Sequence, residues 1–160
     1  MFFGGIHQWV TALARQIEPI IQAFRDGGGV PQAAYDEITW DGQERFTNTW
    51  FESLLIHDSV KPRELLRSIR AALQPNGRYV CLEINAAETL EQNAGPLGSF
   101  LYGFSVLYCM TSSLAEHGEG LGTMGMPESK VRALCAEAGF SKVQRVPMEN
   151  PFNSLYEVWP

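Results

Sequence analysis

The chain has little of what would mark a metal, redox or disulfide-stabilised protein. Among 160 residues there are three cysteines and three histidines. No C-x-x-C pair is present and no two histidines have i, i+4 spacing, so the sequence predicts neither a disulfide framework nor a metal site. The cysteines lie far apart in apolar segments, which favours buried, reduced thiols. They are Cys81, Cys109 and Cys135.

Positive charge is also scarce. Twelve Lys and Arg face 18 Asp and Glu, for a net charge of −6, which argues against nucleic acid and against an anionic membrane as partners. The longest apolar run, residues 97–110, is shorter than the roughly 20 residues that span a membrane. The first residues lack the basic start and cleavage site of a signal peptide. We therefore expect a cytoplasmic protein without nucleic-acid or membrane partners.

What remains is the composition of one globular domain, 45% apolar and 19% charged. Apolar spacing over residues 8–24 predicts a helix with Pro19 as an awkward interior residue. The glycine-rich stretch 26–31 ends this helix. A second helix is predicted from Asp41, with Glu44 completing a capping box, and its apolar face carries Phe46, Phe51, Trp50 and Leu54.

The second part of the chain alternates helix and strand. "LLRSIRAALQPNGRYVCLEI", residues 65–84, predicts a helix, a tight turn and a strand, and the strand is apolar enough to be buried on both faces. Further helices are predicted at 97–110 and 127–139, with two strands after them. With three strands and about five helices, residues 1–160 form a single α+β domain, helical over residues 1–58.

This order of elements resembles the last third of class I S-adenosylmethionine-dependent methyltransferases. Residues 65–84 are similar to the helix and fifth strand of that fold, and "VRALCAEAGFSKVQRV" is similar to its last helix and sixth strand. "NSLYEVWP" resembles the seventh strand, and "IHDSVKP" the His-Asp segment after the fourth. The N-terminal segment resembles the part before the cofactor domain in the subgroup with a winged-helix domain.

The resemblance implies a three-stranded, mostly antiparallel sheet of strand order 5-7-6, with residues 59–160 as the C-terminal half of the Rossmann-like domain. The first four strands, with the glycine-rich cofactor loop, are missing between residues 55 and 56. "GLGTMG", residues 120–125, matches G-x-G-x-x-G, but no strand precedes it. We therefore expect that the chain binds no cofactor. Only under the enzymatic alternative would it bind S-adenosylmethionine.

A fifth strand without its fourth-strand neighbour would expose an unpaired edge, which proteins rarely leave open. Pairing with the same strand of a second chain would give a six-stranded sheet. We predict a homodimer with Tyr79, Val80, Cys81 and Leu82 at the joint.

We assign no catalytic residue. Candidates for binding a small apolar ligand come from the His-Asp segment, the end of the first strand and the aromatic helix. For each there is a structural alternative: His57 and Asp58, which as neighbours are not expected to face each other, would end a helix. Glu83 would be a solvent-facing carboxylate, and the aromatic residues would be core or interface. The candidates are His57, Glu83, Phe100, Phe104 and Tyr108.

The function predicted from these points is that of a non-catalytic, dimeric, methyltransferase-derived domain that binds a small apolar molecule. The alternatives are a methyltransferase, or a subunit of one, that acquires cofactor binding from a partner, and an interaction subunit that docks on a full-length methyltransferase.

Overall fold

A computed structural model describes residues 3–47 and 56–160. The predicted apolar face of the second helix lies outside the side chains described. In chain order the elements are α1 (Phe3–Ala14), α2 (Ile17–Asp26), α3 (Glu37–Thr47), α4 (Pro62–Ala72), β1 (Tyr79–Ile84), α5 (Pro96–Phe104), α6 (Met110–Ala115), α7 (Glu128–Glu137), β2 (Lys142–Val146) and β3 (Asn153–Trp159). One-turn 3-10 helices occupy Gln32–Ala34 and Ile56–Asp58, and a π-helical turn, Ser105–Cys109, joins α5 to α6.

The sheet confirms the predicted α+β class and the antiparallel three-stranded arrangement. Its order is β1-β3-β2, so the last strand of the chain lies in the centre. β3 runs antiparallel to both neighbours, with Cys81 opposite Tyr156 and Val143 opposite Val158. The last strand was expected between the other two, and it lies there.

The expectation that β1 is buried on both faces is wrong. Cys81 and Glu83 are buried, whereas Val80, which points to the other face, is 55% exposed. Helices α4 and α7 pack on the Cys81 face and supply Leu66 and Leu134 to one apolar cluster with it. One face of β1 is therefore covered by helices and the other carries an exposed valine. An apolar run in the sequence does not distinguish these two cases.

The N-terminal helices differ from their predicted bounds for local reasons. The helix expected over 8–24 is divided into α1 and α2, and Pro19 falls in the first turn of α2, where a missing N–H costs little. α3 begins four residues before the predicted cap. The Asp36 carboxylate accepts the Thr39 N–H at 3.1 Å and its hydroxyl at 3.0 Å. Asp36, and not Asp41, caps this helix.

The aromatic helix is longer than the apolar run that predicted it. The continuous helix Pro96–Ala115 has 20 residues, and in length and composition it could cross a membrane, although half of its apolar window is buried inside the protein. It is the one such helix in the described residues. Trp9 of α1 contacts its Phe104 ring at 4.4 Å between centroids, so a core helix explains its apolar surface.

Candidate functional site

A buried histidine and a buried glutamate meet at the end of β1. The 3-10 turn Ile56–Asp58 places the His57 ring beside Glu83, with Nδ1 2.7 Å from Oε2. The other carboxylate oxygen accepts the His57 backbone N–H at 3.1 Å. The exposed fractions are 2% for His57 and 0% for Glu83. The interpretation of Glu83 as a solvent-facing carboxylate is therefore wrong, because its charge is buried and paired with His57.

The second ring nitrogen of His57 faces Asp58. Nε2 lies 3.2 Å from Oδ1, although the two residues are neighbours in sequence. We expected neighbouring side chains not to face each other; that holds for an α-helix, but this segment is a single 3-10 turn. Burial disfavours a charged imidazole, yet the carboxylates of Asp58 and Glu83 outweigh it and raise the pKa of His57 well above its ordinary value.

Cys109 completes the group. The side-chain donor atoms of His57, Asp58 and Cys109 all lie within 4.8 Å of one another. Thr123 donates its hydroxyl to the Cys109 sulfur at 3.2 Å. Burial, with the Asp58 carboxylate adding to it, raises the pKa of the Cys109 thiol. The group therefore combines an imidazole, a carboxylate and a protonated thiol, and Asp58 is 38% exposed to solvent.

Irregular backbone positions Cys109 and its hydrogen-bond donor Thr123. Cys109 ends the π-helical turn of the aromatic helix, and such turns are frequent at functional sites. Thr123 belongs to the "GLGTMG" loop, which follows a helix and not a strand. Gly122 in this loop has φ +70°, and a Cβ there would lie 2.1 Å from the Ser105 hydroxyl oxygen. A close approach to the aromatic helix thus accounts for this glycine.

The predicted aromatic residues lie in the apolar core, whereas His57 and Glu83 form a polar pair. Phe104 and Tyr108 are 6% and 7% exposed and pack against the N-terminal helices. The Phe100 ring is 4.7 Å from that of Phe104, and the Tyr108 ring is 5.3 Å from that of Tyr35. These rings form the core between the aromatic helix and the N-terminal segment, which agrees with the structural alternative.

An open apolar groove lies further along the same helix, between α2 and α6. Its volume is about 240 Å³. Phe24 on its wall is 67% exposed, although it is a large aromatic residue. The groove depends on the packing of two helices far apart in sequence, so no local pattern revealed it. The lining residues are Ile20, Ala23, Phe24, Gly27, Gly28, Met110, Thr111 and Leu114.

The predicted dimer residues have different environments. Val80 is exposed, while the Cys81 side chain is 1% exposed and belongs to the core. Tyr79 stacks on Phe140 with ring centroids 6.3 Å apart, and Leu82 is partly buried. In this antiparallel register, with the Asn85 N–H bonded to the Phe152 carbonyl, Val80 and Leu82 direct their backbone groups to the outer edge of β1.

The sequence did not predict the cluster of His57, Asp58 and Cys109. His57 and Glu83 are 26 positions apart, and their contact depends on the 3-10 turn docking against β1. Cys109 is in an apolar run that predicts core. The one available signal was the charged pair of residues 57 and 58 directly before a proline-initiated helix, together with a glutamate inside an apolar strand.

No model of a known protein family matches this chain. A comparison with curated proteins found no match either.

Proposed function

We propose that this chain is a methyltransferase-derived, non-catalytic domain that forms a homodimer through β1 and binds a small apolar molecule. The central position of the last strand in the order β1-β3-β2 supports the derivation. So does the position of the His-Asp segment, residues 57–58, beside the glutamate at the end of β1.

The described residues do not fit S-adenosylmethionine. In α/β folds such a cofactor binds beyond the carboxyl ends of parallel strands, beside a glycine-rich turn. In residues 3–47 and 56–160 each neighbouring strand pair is antiparallel. The G-x-G-x-x-G match follows α6 and packs against the aromatic helix.

The outer edge of β1 carries the dimer proposal. Val80 and Leu82 present backbone donors and acceptors there, and the exposed Val80 side chain adds apolar surface beside them. The other sheet edge is partly covered, because Arg132 donates to the Val143 carbonyl of β2 at 2.6 Å. Edge strands that are apolar and unprotected tend to pair with another chain, so a two-fold pairing of β1 is the simplest assembly.

Light scattering on the purified chain tests this assembly. The wild type is expected to have the mass of a dimer, and V80P, which removes an outward N–H, to be a monomer. V80K places like charges across the two-fold axis and provides a second variant if V80P does not fold. Q144K is the control. It adds the same charge on the same face of the sheet, but on the edge strand β2, and should leave the dimer intact. A monomeric wild type would refute the proposal.

The groove between α2 and α6 is the proposed ligand site. Its apolar walls and its volume of about 240 Å³ suit a molecule smaller than a typical drug. Binding of an anilinonaphthalene sulfonate dye, followed by fluorescence, tests the groove. A23W should fill the groove and abolish the signal, whereas A136W adds the same ring on the exposed face of α7 and should not. Equal signals from both variants would exclude the groove as the site.

The His57–Glu83 pair favours one second candidate, an S-adenosylmethionine-dependent methyltransferase. A buried carboxylate that orients an imidazole is the arrangement of a general base. Calorimetry with S-adenosylmethionine distinguishes the two functions. The non-catalytic proposal expects no binding by the isolated chain, and micromolar binding would overturn it in favour of the enzyme.

A further inference from the structure

The cluster at His57 has the composition of a transition-metal site. We propose that His57, Asp58 and Cys109 bind a single zinc-like divalent cation through Nε2, a carboxylate oxygen and Sγ. Sulfur, nitrogen and oxygen donors in one site favour zinc over magnesium or calcium. Three protein ligands leave a fourth position open to water or to another ligand.

The geometry agrees with tetrahedral coordination. Zinc bonds of about 2.0–2.2 Å to nitrogen and oxygen separate two ligand atoms by roughly 3.3 Å. The distance between His57 Nε2 and Asp58 Oδ1 is 3.2 Å. The Cys109 sulfur lies within 4.8 Å of a ring nitrogen of His57 and of a carboxylate oxygen of Asp58, so a side-chain movement of about 1 Å would bring it to bonding distance.

The surrounding residues prepare the ligands. Histidines that bind metals usually donate their other ring N–H to a carboxylate, which fixes the tautomer. Glu83 supplies this carboxylate at 2.7 Å from Nδ1 and is fully buried. Thr123 donates to the Cys109 sulfur at 3.2 Å and would stabilise the thiolate that a metal requires. The Asp58 carboxylate, 38% exposed, provides access from solvent.

Metal binding requires the ligands to be deprotonated. A cation would bind the Nε2 lone pair of His57 and the Cys109 thiolate, so the thiol proton, together with the Nε2 proton of an imidazolium, would leave to solvent. The Nδ1 proton stays between His57 and Glu83. Neither oxidation nor bond cleavage occurs.

Titration of the full chain with cobalt(II) tests the site, because cobalt bound to a thiolate has a near-ultraviolet charge-transfer band. The wild type should reach its full band at one equivalent of cobalt. C109S should lose the band, and C135S, which alters a buried thiol without a histidine beside it, should retain it. A wild type without the band, or a band that persists in C109S, would overturn the proposal.

Two further variants remain informative if C109S does not fold. D58N changes a partly exposed ligand and should weaken zinc binding in competition with a chromophoric chelator. E83Q keeps the shape of the side chain that contacts His57 Nδ1. It should weaken zinc binding by about 10- to 100-fold, as loss of a carboxylate that orients a ligating histidine does in other metal sites. Zinc affinity that is unchanged in both variants would place the metal at other residues and refute this assignment.

Discussion

At the scale of single residues, the buried carboxylate of Glu83 decides how the end of β1 is built. It accepts hydrogen bonds from the His57 backbone, from the His57 ring and from the Ile84 N–H at 3.2 Å. A buried charge is tolerated only when such partners replace water. The 3-10 turn Ile56–Asp58 is therefore held against β1 by polar contacts as well as by the buried side chain of Ile56.

Removing this carboxylate should be costly. Glu83→Ala leaves the buried His57 ring without the carboxylate at its Nδ1, and we expect the free energy of unfolding to fall by about 3–5 kcal/mol. Urea unfolding measures it. Glu149→Ala, at an exposed position, is the control and should change stability by less than about 0.5 kcal/mol. Equal losses in the two variants would show that the His57–Glu83 contact does not contribute.

Tyr35 gives the protein a pH dependence in the alkaline range. Its hydroxyl donates to the Leu107 carbonyl at 2.8 Å, and burial, with Cys109 adding to it, raises the pKa of Tyr35 to about 12 from 10.0. The unfolded chain thus loses this proton first. The stability due to Tyr35 is complete below about pH 10 and is lost as the pH rises towards about 12.

Tyr35→Phe should remove this dependence. At neutral pH the variant should be about 1 kcal/mol less stable, because the hydrogen bond is lost. Between about pH 10 and 12 the wild type should lose up to about 2–3 kcal/mol more stability than the variant. Urea unfolding at several pH values measures both. Tyr102→Phe serves as the control. Parallel stability curves for wild type and Tyr35→Phe would contradict the prediction.

At the scale of elements, two glycines of α5 have opposite roles. A Cβ on Gly98 would lie 1.7 Å from the Asn93 carbonyl oxygen, whereas a Cβ on Gly103 would meet nothing within 4 Å. Gly98→Ala should therefore destabilise the protein by about 1–3 kcal/mol. Gly103→Ala should stabilise it by about 0.5–1 kcal/mol, because alanine loses less backbone entropy in a helix. Thermal unfolding compares them, and a loss of stability in Gly103→Ala would refute this account.

Helices and strands could be predicted from local sequence patterns, whereas the cluster at His57 could not. "LLRSIRAALQPNGRYVCLEI" contains its own helix face, turn and strand, so α4 and β1 were predictable. The predicted start of α3 was wrong because Asp41 and Glu44 match the capping box, whereas the cap that forms, Asp36, is identified only by its contacts with Thr39. The contact of Cys109 with His57 joins distant segments through a π-helical turn, for which the sequence carries no periodic signal.

At the scale of the whole molecule, the buried apolar residues form separate clusters. Phe104 lies in one apolar cluster with Trp9 and Tyr108, next to the N-terminal helices. Phe140 lies in another with Cys81, between the sheet and helices α4 and α7. The site at His57 is formed where these parts meet, because His57 follows the N-terminal segment and Cys109 belongs to the aromatic helix.

This division predicts two patterns of local opening. Phe104→Ala creates a cavity under the N-terminal helices, and Phe140→Ala creates one under the sheet; each should cost about 3–5 kcal/mol. Native-state hydrogen exchange should accelerate mainly in α1 and α3 for the first variant and mainly in β1 and β3 for the second, since local openings follow the contacts that are lost. If both variants accelerate exchange equally in all these elements, the two cores unfold as one cooperative unit, and the N-terminal helices then cannot open separately to admit a ligand.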